Sequence, residues 1–422
     1  MTQLSFLENT RDSVSWSGNQ TNARERLKAF LPRAGRAYAS RRNYDFGPEN
    51  RSNISCLSPY IRHRLLLEED VVRETLVRHS LSSAEKFIQE VFWRAYFKGF
   101  LEQRPGIWQS YRADVQRLIE DLDHSADLRS RYETAIDGKT GIDCFDAWAS
   151  ELIETGYLHN HARMWFASIW IFTLRLPWQL GADFFYRHLL DGDPASNTLS
   201  WRWVAGLHTK GKHYLARKSN IETYTDGRFS PVGLVGDALP LFEDVEYPQV
   251  PIQSRADLPD DLSYGLIVTE EDCSSETLPL PGAPKGVLSL TASDARSPFE
   301  TGALAESFSA DALEDAVRRC ETHFNLDTQG DQARIADARE GWGPVLADFA
   351  RNLDVTTLVS AYAPQGPVCT KLEEAKPLLK EAGITLLTVM RDYDVMNWPH
   401  ATRGFFKLKK KIPDLVRTLG LG

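Results

Sequence analysis

The pattern of apolar residues changes character once along this 422-residue chain, near residue 240. Before that point apolar side chains recur at helical spacing, in LEEDVVRETLVRH, in SSAEKFIQEVFWRAYFKGFLEQ and in CFDAWASELIETGYLHNHARMWFASIWIFTLRL. Steps of three and four place them on one face of a helix. After it the apolar runs shorten to YGLIVTEED, GVLSLTAS, TLVSAYAP and ITLLTVMRDYD, separated by the helical stretches SADALEDAVRRCETHF and KLEEAKPLLKEAG. Short continuous apolar strands alternating with helices predict a parallel sheet buried on both faces. Between the two regimes, DALPLFEDVEYPQVPIQSRADLPDDLS carries four prolines and many acids and reads as a connector. The expected organisation is a mostly α-helical domain over residues 1–240, a linker over 241–262, and a smaller α/β, Rossmann-like domain over 263–422 with a mainly parallel sheet. No GxGxxG follows any of the strands, so the dinucleotide fingerprint of such sheets is absent.

Local signals refine the helices. Ser82 or Ser83 is expected to cap the second one, with Glu85 as capping-box partner, and Pro177 to end or kink the third. Charge excludes a polycation: 49 basic against 58 acidic residues leave a net −9, so any nucleic-acid contact must be a local patch. Aromatic residues are abundant, with 11 Trp, 20 Phe and 14 Tyr. They build a large core, a stacking surface for a flat ligand, or a path for electrons. The five Cys are scattered without a CxxC pair, which points to free thiols in a reducing cytoplasm and to no zinc or iron–sulfur site. The N-terminus lacks an apolar signal region, and the run near Met164–Leu174 is too short to span a bilayer.

The segment GYLHNHARMW, Gly156–Trp165, mixes polar groups into the most apolar part of the chain. Taken as a helix, it puts Asn160, Arg163, Met164 and Ala167 on one face. His159 and His161 diverge and cannot chelate one metal. A buried Arg163 needs a carboxylate or phosphate partner. The turn LLDGDPASNTLSWRW supplies Asp191, Asp193 and Asn197, followed by Trp201 and Trp203. That turn reads as a helix cap, as a DxD holding a metal and a phosphate, or as acceptors for the polar edge of a planar heterocycle. Upstream, Ser52, Asn53, Ser55 and Ser58 form a loop of donors suited to a phosphate or to an ordinary cap. Glu90 and Arg94 stand at i,i+4, a salt-bridge spacing, with Trp93 beside them. The tail WPHATRGFFKLKKKIPDLV is basic and aromatic, and reads either as a solvated surface helix or as a packing or docking element.

These segments, in this order, resemble the FAD-binding domain of the photolyase/cryptochrome family. The resemblance runs from about Tyr38 to Arg228. It is carried by Tyr38–Arg42–Asn43, by Ile54-Ser55-Cys56-Leu57-Ser58-Pro59-Tyr60, by Glu90, Trp93 and Arg94, and by the Gly138–Gly141 turn. It continues through His159-Asn160-His161-Ala162-Arg163-Met164, the Asp191–Asn197 turn, and Trp201 with Trp203. The resemblance implies a helical bowl holding FAD, active in the reduced, anionic form FADH−. Tyr38, Ser55, Leu57, Ser58, Arg94, Asn160, Arg163, Asp191, Asp193 and Asn197 would contact the cofactor, with Arg163 and Asp191 as a buried ion pair near the flavin ring. The implied activity is light-driven splitting of cyclobutane pyrimidine dimers in UV-damaged DNA, by electron transfer to a flipped-out lesion. Glu90 would hydrogen-bond the dimer, Trp93 and Trp203 would stack on it, Met164 would touch it, and Arg42 and His161 would meet the DNA. A wider DNA patch would take in Arg41, Lys210 and Lys212. Trp178 and Trp201 match two members of an electron-relay triad. The third falls near Ser125, so Tyr132 or Trp108 would have to serve instead. His161 stands where the family usually has Arg, and Ile54 where it has Thr. The family's α/β domain precedes the FAD domain, whereas here the α/β-like segment follows it, and an antenna chromophore is not implied. The alternatives are a cryptochrome-like blue-light photoreceptor that signals through a partner, and a flavoprotein with a light-independent redox role.

Overall fold

The structure, a computed structural model, describes residues 16–253, 257–326 and 341–422, and the backbone of 333–335. The chain enters through α1 (Gln20–Phe30), capped by Asn19, whose side chain accepts from the Asn22 N–H at 2.8 Å. Then come α2 (Arg36–Arg41), α3 (Ser58–Arg62), α4 (Glu68–Arg78) and the long α5 (Glu85–Glu102). The aromatic half consists of α6 (Pro105–His124), α7 (Ala126–Ile136), α8 (Asp143–Thr155), α9 (Asn160–Ser168), α10 (Trp178–His188) and α11 (Pro194–Ala205), followed by α12 (Lys218–Tyr224). Its core is built from Trp148, Trp165, Phe166, Trp170, Phe185 and Trp201, all at most 2% exposed.

Two local expectations are corrected. The apolar stretch from Asp143 to Thr173 is not one helix. Gly156 ends α8 in the left-handed conformation (φ +64°), which a side chain would resist, and a Cβ there would lie 2.7 Å from Leu190. Only from Asn160 does α9 begin, passing into a π-helical turn at Ile169–Thr173. Pro177 does not kink a running helix but stands before α10. Nor does a serine side chain cap α5: Ala84 occupies that position, and Ser80 Oγ accepts from the Ser83 N–H in the preceding turn.

After α12 the chain runs without regular structure to the sheet, pinned at two places to the helical half. The Leu241 N–H bonds Ala205 O and the Val250 N–H bonds Gln103 O, both at 2.9 Å. The sheet contains β1 (Gly265–Thr269), β2 (Val287–Leu290), β3 (Ala333–Ile335), β4 (Thr357–Ala361) and β5 (Thr385–Val389), all parallel, in the order β3-β2-β1-β4-β5. The connections include α13 (Ala303–Phe324), α14 (Trp342–Asn352) and α15 (Pro367–Glu381). The chain finishes in α16 (Asp392–Asn397), α17 (Phe406–Lys409) and α18 (Ile412–Thr418). Sequence reading did not single out β3 or α14.

The pleat sends alternate residues to opposite faces. Ile267 and Leu358 pack with Trp342, Leu346 and Leu372 of α14 and α15. Leu266, Val268 and Val359 join α13 and also α1, α4 and α5, through Leu27, Val71, Ile88 and Phe92. One apolar core thus runs from the N-terminal helices to the sheet.

Candidate functional site

Arg42, at the end of α2, ties α5 to the start of α9. Its guanidinium donates to Glu90 Oε1 at 2.5 Å, and its carbonyl accepts from His159 Nε2 at 3.0 Å. His161 bonds the next carbonyl, Asn43 O, at 3.0 Å, stacks on Trp165 with ring centroids 4.0 Å apart, and has Tyr214 Oη 3.4 Å from its other nitrogen. Neither nitrogen is left for a phosphate; His161 anchors α9 to the end of α2. Burial holds both imidazoles below their ordinary range, His159 at about 4. For Glu90 burial pushes the carboxyl up, and Arg42 offsets part of that.

On α9, Arg163, half-buried, meets a carboxylate partner. Asp191 accepts two bonds from it, at 3.0 and 2.9 Å, and Leu158 O takes the Nε–H at 3.0 Å. Asp193 caps α11, accepting from the Ser196 N–H at 2.7 Å, while Arg94 and Lys98 lie 3.2 and 3.7 Å from its other oxygen. Asn197 donates to Ala182 O at 2.7 Å. The two aspartates are therefore committed to cations and a cap rather than to a metal. Among the described residues no three ligating side chains converge on a metal position. Asn160 is exposed and Met164 half-buried at the open end of α9. Tyr38 lies buried edge-on to Phe30 and Phe87. Leu57 is buried, and Ser55 and Ser58 are half-buried.

Trp93 and Trp203 are each stacked by a neighbour, Trp93 on Phe405 at 3.8 Å and Trp203 on Tyr214 at 5.9 Å. The other aromatic residues form two branches. Trp201 meets Trp170 at 6.2 Å, and Trp170 meets Tyr132 at 6.1 Å. Trp178 stacks on Tyr111 at 5.7 Å, which meets Trp108 at 5.4 Å. Both replacement donors named from the sequence thus lie on paths of ring contacts, which continue from Tyr132 to Phe299 and from Trp108 to Tyr186.

Two features escaped sequence reading. Trp16 lies against Tyr157 at 5.3 Å, and Tyr157 also receives the Arg163 guanidinium over its ring. A buried ionic network joins α3–α5 to the loop after β1. Arg62 pairs with Glu271 at 2.6 Å and donates to Gly192 O, inside the Asp191–Asp193 turn; Lys98 reaches Glu271 at 3.3 Å. Arg64 pairs with Asp394 at 2.7 Å, and Arg391 with Asp272 at 2.6 Å. Arg64 holds a left-handed φ of +52°, a cost for a residue with a Cβ that its ion pairs offset. The sheet thereby braces the turn that presents Asp191.

The donor set fits FAD. The Arg163–Asp191 pair presents charge-assisted groups for a polar ring edge, and Ser55 and Ser58 are half-buried in the loop before α3 and at its start.

The comparisons agree. Residues 87–229 match the family described as the FAD binding domain of DNA photolyase. A deoxyribodipyrimidine photo-lyase of Streptomyces griseus is 34% identical over 156 residues, 37% of this chain and 32% of the relative. A cryptochrome DASH of Natronomonas pharaonis is 28% identical over 223 residues, 51% of this chain and 45% of the relative. The chain thus aligns with less than half the length of these relatives. A bacterial class III photolyase from Agrobacterium tumefaciens superposes with a TM-score of 0.42 at 26% identity, over 50% of this chain and 43% of that one. Over residues 87–229, this chain is thus similar to the FAD-binding domain of the photolyase/cryptochrome family.

Proposed function

We propose that the protein is a light-driven DNA photolyase that splits cyclobutane pyrimidine dimers. The observation that carries this reading is the Arg42 junction, which ties Glu90 of α5 to His159 at the start of α9, the helix that carries Asn160, Met164 and the Arg163 paired with Asp191. FAD, when bound and reduced, would supply the light-driven one-electron reduction that dimer splitting requires. Tyr38, Ser55, Leu57, Ser58, Arg94, Asn160, Arg163, Asp191, Asp193 and Asn197 would hold the cofactor. The chain's own part in repair is recognition and charge stabilisation. Glu90 would hydrogen-bond the dimer and, with the Arg42 guanidinium paired to it, stabilise the negative charge arriving there. Trp93, Trp203 and Met164 would pack on the flipped bases. Arg42 steers the flanking phosphate. Trp201 and Trp178, continued by Tyr132 or Trp108, would resupply electrons. In this reading residues 1–240 form the catalytic domain, 241–262 the linker and 263–422 an α/β domain, with UV-damaged DNA as partner. The test is blue-light repair of dimer-containing single- and double-stranded oligonucleotides by the reduced protein. Repair is expected, with Glu90→Ala slower by about 100-fold. No repair of either substrate refutes the proposal.

The covered faces of Trp93 and Trp203 and the cryptochrome DASH relative favour a second reading, a photoreceptor acting through a partner protein. Light-dependent complex formation without repair would select it.

A further inference from the structure

Five basic residues follow one another between Arg403 and Lys411: Arg403, Lys407, Lys409, Lys410 and Lys411, with no acid among them, in a chain of net charge −9. Two phenylalanines share the stretch, and the fold treats them oppositely. Phe405 is buried with its ring stacked on Trp93, 3.8 Å between centroids and 13° between planes. Phe406, the next residue, is 72% exposed. Phe405, Leu408 and Ile412 recur at spacings of three and four and are all buried, which fixes the orientation of the segment. Phe406, Lys407, Lys410 and Lys411 therefore face outward together, and all are exposed. Lys409 clamps the element to α5 through Glu85 at 3.3 Å.

The location gives this surface its meaning. The same α5 carries Glu85, Glu90 and Trp93, so the clamp and the proposed lesion-facing residues lie within nine residues, about 12 Å of one helix. Arg42 borders it from the other side through Glu90. A solvated surface helix has no need to expose a phenylalanine among lysines. A nucleic-acid strand uses both groups, since phosphates take the ammonium charges and an unstacked base takes the ring face.

We propose that the segment Arg403–Lys411 is a DNA-binding hook, in which Lys407, Lys410 and Lys411 grip successive phosphates of a single strand next to the lesion and Phe406 stacks on one of its bases. The lesion rests on the function proposed above; binding of an undamaged strand does not. The test is fluorescence anisotropy of the full chain with a labelled, undamaged single-stranded pyrimidine oligonucleotide across a salt series. Lys407→Ala/Lys410→Ala/Lys411→Ala should reduce the slope of log K against log salt by about 2, three contacts at about 0.7 each. Phe406→Ala should weaken binding about ten-fold while leaving the slope unchanged. Both variants alter only exposed side chains, and unchanged thermal unfolding confirms the fold. Wild-type slope and affinity in both variants would overturn the hook, as would displacement of the oligonucleotide by polyglutamate at equal charge concentration. Glu90→Gln separates the two proposals, because it should impair repair and leave undamaged-strand binding intact. A protein that binds the strand through these residues and never repairs a dimer retains the hook and loses the photolyase.

Discussion

Asp394→Ala tests whether the buried ionic network holds the sheet to the helices. Both Asp394 oxygens accept from Arg64 Nη2 at 2.7 Å, and each partner's side chain is 3% exposed. Removing the carboxylate leaves a desolvated guanidinium whose remaining partners, Glu68 at 3.3 Å and Asp272 at 3.4 Å, are longer and already shared with Arg94 and Arg391. Breaking a buried pair costs about 3–5 kcal/mol, and the residual partners place this one near 3. At about 3 kcal/mol per molar urea, the unfolding midpoint should fall by about 1 M. The exposed Arg417–Asp414 pair, with side chains 77% and 63% exposed, provides the contrast. Asp414→Ala should cost less than about 0.5 kcal/mol. The assay is urea unfolding followed by tryptophan fluorescence, for both variants and for Arg64→Met/Asp394→Leu. Packing an apolar pair where charges stood should recover most of the loss. If Asp394→Ala lowers the midpoint no more than Asp414→Ala does, the network is not what couples the two halves.

Other predictions follow from single sites. Asp183 lies buried with Oδ1 unbonded, and burial pushes its carboxyl up to about 6. Between its unfolded value near 4 and 6 the folded state binds the extra proton, so stability contributed by this group falls as pH rises through that window. Asp183→Asn should flatten that slope in unfolding measured at pH 4 to 7, and an unchanged slope would reject the assignment. At Gly181 a Cβ would lie 2.4 Å from Trp201 and 2.8 Å from Trp170, so Gly181→Ala should destabilise by about 1–3 kcal/mol despite its better helix propensity. A raised thermal midpoint would contradict this. Asp191→Asn should remove the charge and one of the two bonds that Arg163 donates, and weaken flavin retention about ten-fold, read as bound flavin absorbance after gel filtration. Equal retention would remove the pair from the cofactor site.

Much of the architecture was written locally. The change from helical to strand spacing near residue 240 announced both halves, and four of the five described strands coincide with the apolar runs. The placement of Glu90, Trp93 and Arg94 on one helix needed only their spacing. The demand that a buried Arg163 find a carboxylate was legible too, because desolvating a lone guanidinium is prohibitive. What spacing could not state was where a helix would be cut, as at Gly156, whose left-handed turn is packed against Leu190 some thirty residues on.

The sequence by itself determined which faces of each element are apolar and which residue types stand ready for chemistry. The tertiary structure alone decided what covers those faces. It set Arg64 against Asp394, 330 residues away, turned His161 inward as an anchor, laid Phe405 on Trp93, and left Phe406 and its lysines outside. The physical reason is that periodicity encodes burial, a property of one segment, whereas ion pairs and stacking depend on two segments that only the closed core brings together.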